Sequence, residues 1–468
     1  MIDIRAQQIA RLCEAPLDVL VVGGGINGAG VLRDLALRSQ SAPGKLRVGL
    51  VEQNHFASGT SGKNSQLIHG GLRYLKYLQF HLVRESLHER SLLLRNAPQF
   101  VKPLPFLLPM YGVKSRLMYG TGLWLYDRLT GSEGIHPHRA IGRKQLADIE
   151  PLLSQQGLIS AAIFYDCSIP SARFVLENIL DAMDRGALAG NYVKSESWER
   201  GANAHWTVRC KDQLTGEGFE ISARKLVDAR GAWSTQHDLR LVRGSHIVIP
   251  RVGASENAIA HFEPDGRIVF LIPWGSRNDL TLVGTTDEDH QGGPDCVRIS
   301  REECSYLTRI VGKLYPSHTD IVPVSTYSSL RPLVRDESNS PTSASRGHKI
   351  WNSEDGILHI AGGKYTTYRL MSEEASDLIC AEVAPELKAI HRTEQTPFRE
   401  VEREVGDQME QHLADYLFVS TYLGYERRWN TDALRPLAEA MGGRRNWSQD
   451  RVEQEVKAII EELERVGA

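Results

Sequence analysis

Three glycines and an acid carry the first recognisable chemistry in this chain. Gly23, Gly25 and Gly28 stand in the spacing G-x-G-x-x-G, directly after the apolar run Val19–Val22. Ala29, Val31, Leu32, Leu35, Ala36 and Leu37 then recur with helical period. A strand, a glycine turn and a helix in that order make a dinucleotide fingerprint, whereas the glycines alone would not. Gly23 makes the tight turn, Gly25 lets a pyrophosphate approach the backbone, and Gly28 lets the helix pack on the strand. Asn27 sits at the helix start, where amide groups and a partial positive charge meet phosphate. Glu52 and Gln53 follow the second strand, Arg47–Val51. An acid there is placed to take up a ribose hydroxyl. An ordinary glycine turn with a surface glutamate would share these residue types, but strand, helix, second strand and acid all agree.

Further residues could act on a bound molecule. Arg331 lies between Leu330 and Pro332, a stiffened backbone carrying the side chain best suited to grip phosphate oxygens in pairs. The alternative for Arg331 is a surface salt bridge. Lys364 follows Gly362 and Gly363 at the end of an apolar strand, and a simple turn lysine is the competing assignment. His246, within Gly-Ser-His-Ile-Val-Ile, is the side chain best matched in acidity to general-base work, although a histidine beside an apolar strand is often a satisfied core residue. The small-residue loop 57–65 offers Thr60 and Ser61 as donors to phosphate or ring oxygens, or else is a flexible surface loop.

The whole chain frames these residues. Its 468 residues suffice for two or three domains. Hydrophobic content of 41% and charged content of 24% are ordinary for a soluble protein, and a net charge of −3 gives no global basic field for nucleic acid. The N-terminus lacks a signal-peptide apolar run, and no stretch reaches transmembrane length. Cys13, Cys167, Cys210, Cys296, Cys304 and Cys380 are scattered without a C-x-x-C pair. That pattern suits reduced thiols in a cytoplasmic protein and argues against a dithiol mechanism or a zinc site.

Gly-Gly-Gly-Ile-Asn-Gly-Ala-Gly from Gly23, followed by Leu67-Ile68-His69-Gly70-Gly71-Leu72-Arg73-Tyr74-Leu75, resembles the FAD-dependent glycerol-3-phosphate dehydrogenases, flavoproteins of the D-amino-acid-oxidase type. The resemblance continues through Gly244–Arg251, Arg267–Trp274 with Val283–Asp287, Leu330–Leu333, and Gly362–Arg369. It covers roughly residues 18 to 375. In the family the block around Gly231 reads Val-Asn-Ala-(Thr/Ala)-Gly-Pro-Trp; here Asp228, Arg230 and Ala232 depart from it, while Gly231 and Trp233 remain.

The resemblance implies an α/β fold of the glutathione-reductase-like kind: a Rossmann-type FAD-binding sheet, a mixed substrate sheet and a small helical C-terminal domain. The expected boundaries are 1–98, 155–239 and 355–387 for the FAD domain, 99–154 and 240–354 for the substrate domain, and 388–468 for the C-terminal domain. FAD is the implied cofactor, with Leu67, His69, Gly70, Gly231, Gly362, Gly363, Lys364 and Thr366 joining the fingerprint residues around it. Thr366 and Thr367 are expected to cap a helix there. The implied reaction is oxidation of sn-glycerol 3-phosphate to dihydroxyacetone phosphate, with Arg73, Tyr74, Arg331 and Arg346 around the substrate and His246 or Arg331 taking the proton. Lys364 is expected near the polar edge of the flavin. Electrons would pass to a quinone or another acceptor. A paralogue acting on a different phosphorylated polyol is the alternative, and a homodimer is held open.

Two segments bear on partners. Residues 76–96 read as an amphipathic helix with Leu78, Leu82, Leu87 and Leu94 inward and Lys76, Arg84, Arg90 and Arg95 outward. Residues 100–128 are apolar and aromatic, broken by prolines 103, 105 and 109 and edged with Lys and Arg. That composition suits a lipid interface or a core segment. The family's docking on the inner membrane face tips the expectation to the interface.

Overall fold

The computed structural model describes residues 3–41, 46–72, 79–202, 204–234, 239–318, 320–335, 347–401 and 408–466. Arg73, Tyr74 and Arg346, as well as Lys76 and Leu78, lie outside the described residues. The described residues form two β-sheets with helices packed against them, the two-sheet α/β architecture expected.

The first sheet is built on Leu17–Val22, whose Val19, Leu20 and Val21 are fully buried. Gly218–Asp228 and Val48–Val51 flank it, both parallel to it. Leu188–Gly190 pairs beyond the second of these and Leu358–Gly362 beyond the first. Strands enclosed on both faces are apolar throughout, which is why this region shows runs rather than alternation. The fingerprint helix, Ile26–Ser39, is buried along nearly its whole length. Its charged residues are therefore paired: Arg33 with Asp181 at 2.7 Å, and Arg38 with Asp34 and Asp377 at 2.6 Å each.

Among the described residues the second sheet has ten strands. Lys102–Tyr111 runs antiparallel to Leu158–Ser168 over almost its full length. The prolines expected to break the 100–128 segment instead lie in this strand. All three are odd-numbered, so their missing N–H groups fall along a single edge, and the next strand over pairs only at Phe106 and Leu107. Leu239–Pro250 pairs with Ser325–Val334 on one side and Leu280–Gly284 on the other.

Sheet membership moves two expected boundaries. Leu158–Ser168, placed by sequence in the FAD domain, belongs to the second sheet through its pairing with Lys102–Tyr111. His348–Asn352, placed in the substrate domain, is an antiparallel edge of the first sheet beside Leu358–Gly362. The amphipathic helix begins at Phe80 and ends at Asn96. Leu82 and Leu87 face inward, but so does Arg90, expected outside. Its guanidinium is held by buried Asp166 at 2.6 Å, with the Tyr126 hydroxyl at 3.2 Å. Helical periodicity cannot show that an inward position holds a partnered charge.

The C-terminal region contains the helices Thr431–Arg445 and Gln449–Val466 packed around Leu434, Met441, Val452 and Ile459. Ahead of them, Tyr422 reaches back into the body of the protein. Its hydroxyl accepts from Ala172 N at 2.7 Å and Gln66 Nε2 at 3.0 Å, donates to Gly62 O at 2.9 Å, and lies 3.0 Å from Ser171 Oγ.

Candidate active site

A cavity of about 540 Å³ runs from the carboxyl ends of the first-sheet strands to the second sheet. That volume falls in the range of small-molecule and cofactor pockets, about 300–1,000 Å³. At one end Gly23, Gly25 and Asn27 form its wall beside Glu52 and Gln53. Gly23 has a φ of +114°, and a Cβ there would come within 2.6 Å of Ala229 O, so only glycine makes this turn. A Cβ on Gly28 would lie 1.9 Å from Gly23 O, so this glycine sets the helix against the turn rather than lining the cavity. Glu52 accepts hydrogen bonds from Gly24 N at 2.7 Å and Asn54 N at 2.9 Å. Burial pushes its carboxyl up, against those amides.

The loop between the second strand and Gln66 is clamped, not flexible. Thr60 donates to Leu330 O, Ser329 Oγ donates to Lys63 O at 2.6 Å, and Tyr327 donates to Asn64 O at 2.7 Å. With Tyr422 gripping Gly62, both the second sheet and the C-terminal region hold it. Thr60, Ser61 and Ser65 line the cavity. Ser61 Oγ is engaged by the protein itself, accepting from Ile26 N at 2.9 Å at the start of the fingerprint helix. Leu67 and His69 also line it. Gly70 does not: its N–H bonds Asp166 at 3.0 Å, and a Cβ would collide with the Tyr126 hydroxyl.

Gly231, Gly362, Gly363, Lys364 and Arg331 complete the opposite walls. Arg331 donates to Thr286 O and Asp287 Oδ1 at 3.1 Å each and to Thr285 Oγ1 at 2.6 Å. A Cβ on Gly244 would sit 2.3 Å from the guanidinium, so that glycine makes room for it. These acceptors fix Arg331 as a charged donor, which removes it as a proton acceptor. Asp287 and Thr285, which sequence reasoning quoted but did not nominate, share the cavity wall with it. Lys364 Nζ donates to Leu82 O at 3.1 Å and Ser86 Oγ at 2.5 Å, with Glu85 at 3.9 Å. The amine is therefore anchored to the Phe80–Asn96 helix, and burial brings its pKa down to about 8, against the opposing pull of Glu85. Thr366 makes no helix cap. Its hydroxyl accepts from His69 N at 3.2 Å and lies 3.3 Å from His69 O, and Thr367 caps with no side-chain bond either.

His246 is not on the cavity wall. It is 1% exposed, stacked on Tyr327 with ring centres 4.9 Å apart. Its Nε2 lies 2.9 Å from Ser65 Oγ, and among the described residues its Nδ1 has no hydrogen-bond partner. Burial, then the charge of Arg331, lowers its pKa to about 3, so the ring is neutral. Ser65, not nominated from sequence, is the cavity-side atom of this pair. Only the fold reveals it, because it is one hydroxyl among several in a small-residue loop.

The donor set fits FAD: a glycine turn and helix start for a diphosphate, the half-buried Glu52 carboxylate for a ribose, and Leu67, Ala260, Phe270 and Leu333 for a ring system. Fold and cavity together define a dinucleotide-binding oxidoreductase of the two-sheet class. The chain belongs to the FAD dependent oxidoreductase family, whose model matches residues 18–369. It is 34% identical over 379 residues to an aerobic glycerol-3-phosphate dehydrogenase of Staphylococcus aureus strain USA300, a match covering 77% of this chain and 66% of that protein. Its fold matches the glycerol-3-phosphate dehydrogenase of Bacillus halodurans complexed with FAD, with a TM-score of 0.74 at 24% identity over 99% of this chain and 97% of that one. It also matches the L-alpha-glycerophosphate oxidase of Mycoplasma pneumoniae with FAD bound, with a TM-score of 0.61 at 17% identity over 78% of this chain and 95% of that one.

Proposed function

We propose that this protein oxidises sn-glycerol 3-phosphate to dihydroxyacetone phosphate. FAD, when bound, supplies the hydride-accepting ring. The observation that carries the proposal is Arg331: a guanidinium on the second sheet, anchored by Asp287 and Thr285 and facing the same cavity as the dinucleotide turn. A fixed planar cation is what a substrate phosphate requires, and its rigid anchoring positions the C2 alcohol. Arg73 or Arg346 would join it. The alcohol proton leaves through Ser65 to Nε2 of His246 only as the C2 hydrogen departs, when the developing carbonyl has made it far more acidic than an alcohol's. A buried ring with a pKa near 3 does not deprotonate the resting alcohol. Lys364, which lines the cavity, would hold the polar side of the ring system. The names of the relatives, over their shared portion, support the substrate.

Electrons would pass to a quinone or another acceptor, and the exposed face of the helix Val113–Thr130 is the membrane contact. Val113, Leu117, Met118 and Trp124 are exposed there beside Lys114, Arg116 and Arg128. Among the described residues no helix is long and apolar enough to cross a membrane. The test of the substrate is anaerobic addition of glycerol 3-phosphate to the flavin-loaded protein. Bleaching of the visible flavin bands is expected, at concentrations up to the millimolar range. No bleaching there, with bleaching by another phosphorylated polyol in the same panel, would replace this substrate.

A further inference from the structure

We propose that Arg230 is a fixed cation that binds the diphosphate of FAD, a contact made by the residues where this chain departs from its family's pattern. The inference rests on FAD occupying the cavity and is independent of the substrate. Val22, just before the glycine turn, pairs in register with Asp228. A Cβ on Gly23 would lie 3.0 Å from the Arg230 Cα, so Arg230 adjoins the turn directly. Arg230 shares the cavity wall with Gly25 and Asn27, where the fingerprint helix starts.

The guanidinium is held on two sides. Its Nε and one terminal nitrogen donate to the two oxygens of Asp228 at 2.9 Å each, and its carbon sits 4.6 Å from the centre of the Trp198 ring. Among the described residues no acceptor takes its other N–H groups. Asp228 is 2% exposed and is also bonded by Arg230 N at 3.1 Å and Ser234 Oγ at 3.0 Å, with His359 Nδ1 at 3.4 Å. Burial works to raise the Asp228 carboxyl, and Arg230 and His359 overcome it, holding it well below the usual carboxylate range. The pair is thus ordered: its carboxylate is buried, and its guanidinium belongs to a residue that lines the cavity and keeps N–H groups that no described residue accepts.

An ion pair taken out of water adds little net stability against a neutral replacement, so folding alone gives weak reason for this one. A diphosphate at a glycine turn and helix start gives a strong reason, because a pre-oriented guanidinium donates to phosphate oxygens without first paying to be ordered. The competing role is purely structural: the pair would brace the turn at Gly231, whose φ is +59°.

The two roles separate in three variants, Arg230→Gln, Arg230→Lys and the double variant Asp228→Asn/Arg230→Gln, the last leaving no unpaired carboxylate. Dissociation constants of FAD, ADP and riboflavin are measured for the flavin-stripped full chain, together with release of FAD from the holoenzyme on dilution. Arg230→Gln and the double variant are expected to weaken FAD and ADP tenfold or more while leaving riboflavin unchanged, with Arg230→Lys intermediate. If the double variant binds FAD and ADP like the unaltered protein, or if all three ligands weaken equally, the contact with the diphosphate is ruled out. Should Arg230→Gln fail to fold, the other two variants decide by the same readings. A failed substrate assignment would leave these constants untouched.

Discussion

The imidazole of His246 stands directly behind the hydroxyl of Ser65, Nε2 to Oγ 2.9 Å, and only the hydroxyl reaches the cavity. An unperturbed histidine would lose its basic form below about pH 6.5. Here burial and Arg331 hold the pKa near 3, so the neutral ring persists through the mildly acidic range. The kcat/KM profile is therefore expected to show no acidic limb near 6.5 from this group. Ser65→Ala should lower kcat more than it raises KM. A limb near 6.5 that vanishes in His246→Asn would refute the assignment.

The same histidine makes stability depend on pH. Its folded pKa is below its unfolded value, so between about 3 and 6.5 the unfolded chain binds more protons. Stability should therefore fall as pH drops from 6.5 toward 3. His246→Asn should flatten that slope in urea melts at a series of pH values, and an unchanged slope would assign the acid loss to other groups.

Lys364 titrates on the other side of neutrality. Its pKa near 8 means the ammonium is lost as pH rises through that value. If its charge serves the ring system, kcat/KM declines above about pH 8, and Lys364→Arg moves the decline upward. A profile flat to pH 9.5 would leave Lys364 as an anchor for the Phe80–Asn96 helix alone.

Arg331→Gln removes the fixed cation together with its ion pair to Asp287. Loss of kcat/KM for glycerol 3-phosphate is expected on the order of 100-fold, as for other truncated charge-assisted contacts. Comparison with glycerol should show the penalty only for the phosphorylated compound. Equal losses for both would mean that Arg331 does not read phosphate.

Tyr422→Phe deletes a hydroxyl that bonds Gly62 O, Ala172 N and Gln66. Gly62 O and Gln66 Nε2 keep a bond to each other at 3.3 Å, but the buried Ala172 N–H loses the Tyr422 hydroxyl, at a cost of roughly 1–3 kcal/mol. Thermal melting should report that loss and FAD release should quicken, because the clamped loop walls the cavity. Unchanged FAD retention with lowered stability would separate the brace from the site.

A Leu117→Glu/Trp124→Glu variant tests the exposed face of the Val113–Thr130 helix. Co-sedimentation with anionic phospholipid vesicles should drop severalfold, while turnover with a soluble dye acceptor stays the same. Equal sedimentation of both proteins would remove this face as the lipid contact.

The local pattern determined much of this protein by itself. Gly23, Gly25, Gly28 and Glu52 were legible because a strand, a turn and a helix are short-range objects whose spacing is written in neighbouring residues. Arg331 and Lys364 were legible as cations in unusual backbone settings. Tertiary structure alone decided what those groups face. His246 read as either a base or a core histidine and lies one layer behind the wall, because strand alternation fixes which face a side chain takes but not which loop covers that face. Arg90 turned inward to meet Asp166, seventy-six positions along the chain. The prolines at 103, 105 and 109 sat in a strand because only the partner's register shows which edge can spare its donors. Ser65, Asp287 and Tyr422 acquired meaning only from partners far away in sequence. Partners at such distances leave no periodic trace, because they meet through the packing of two sheets and a C-terminal segment rather than through any local repeat.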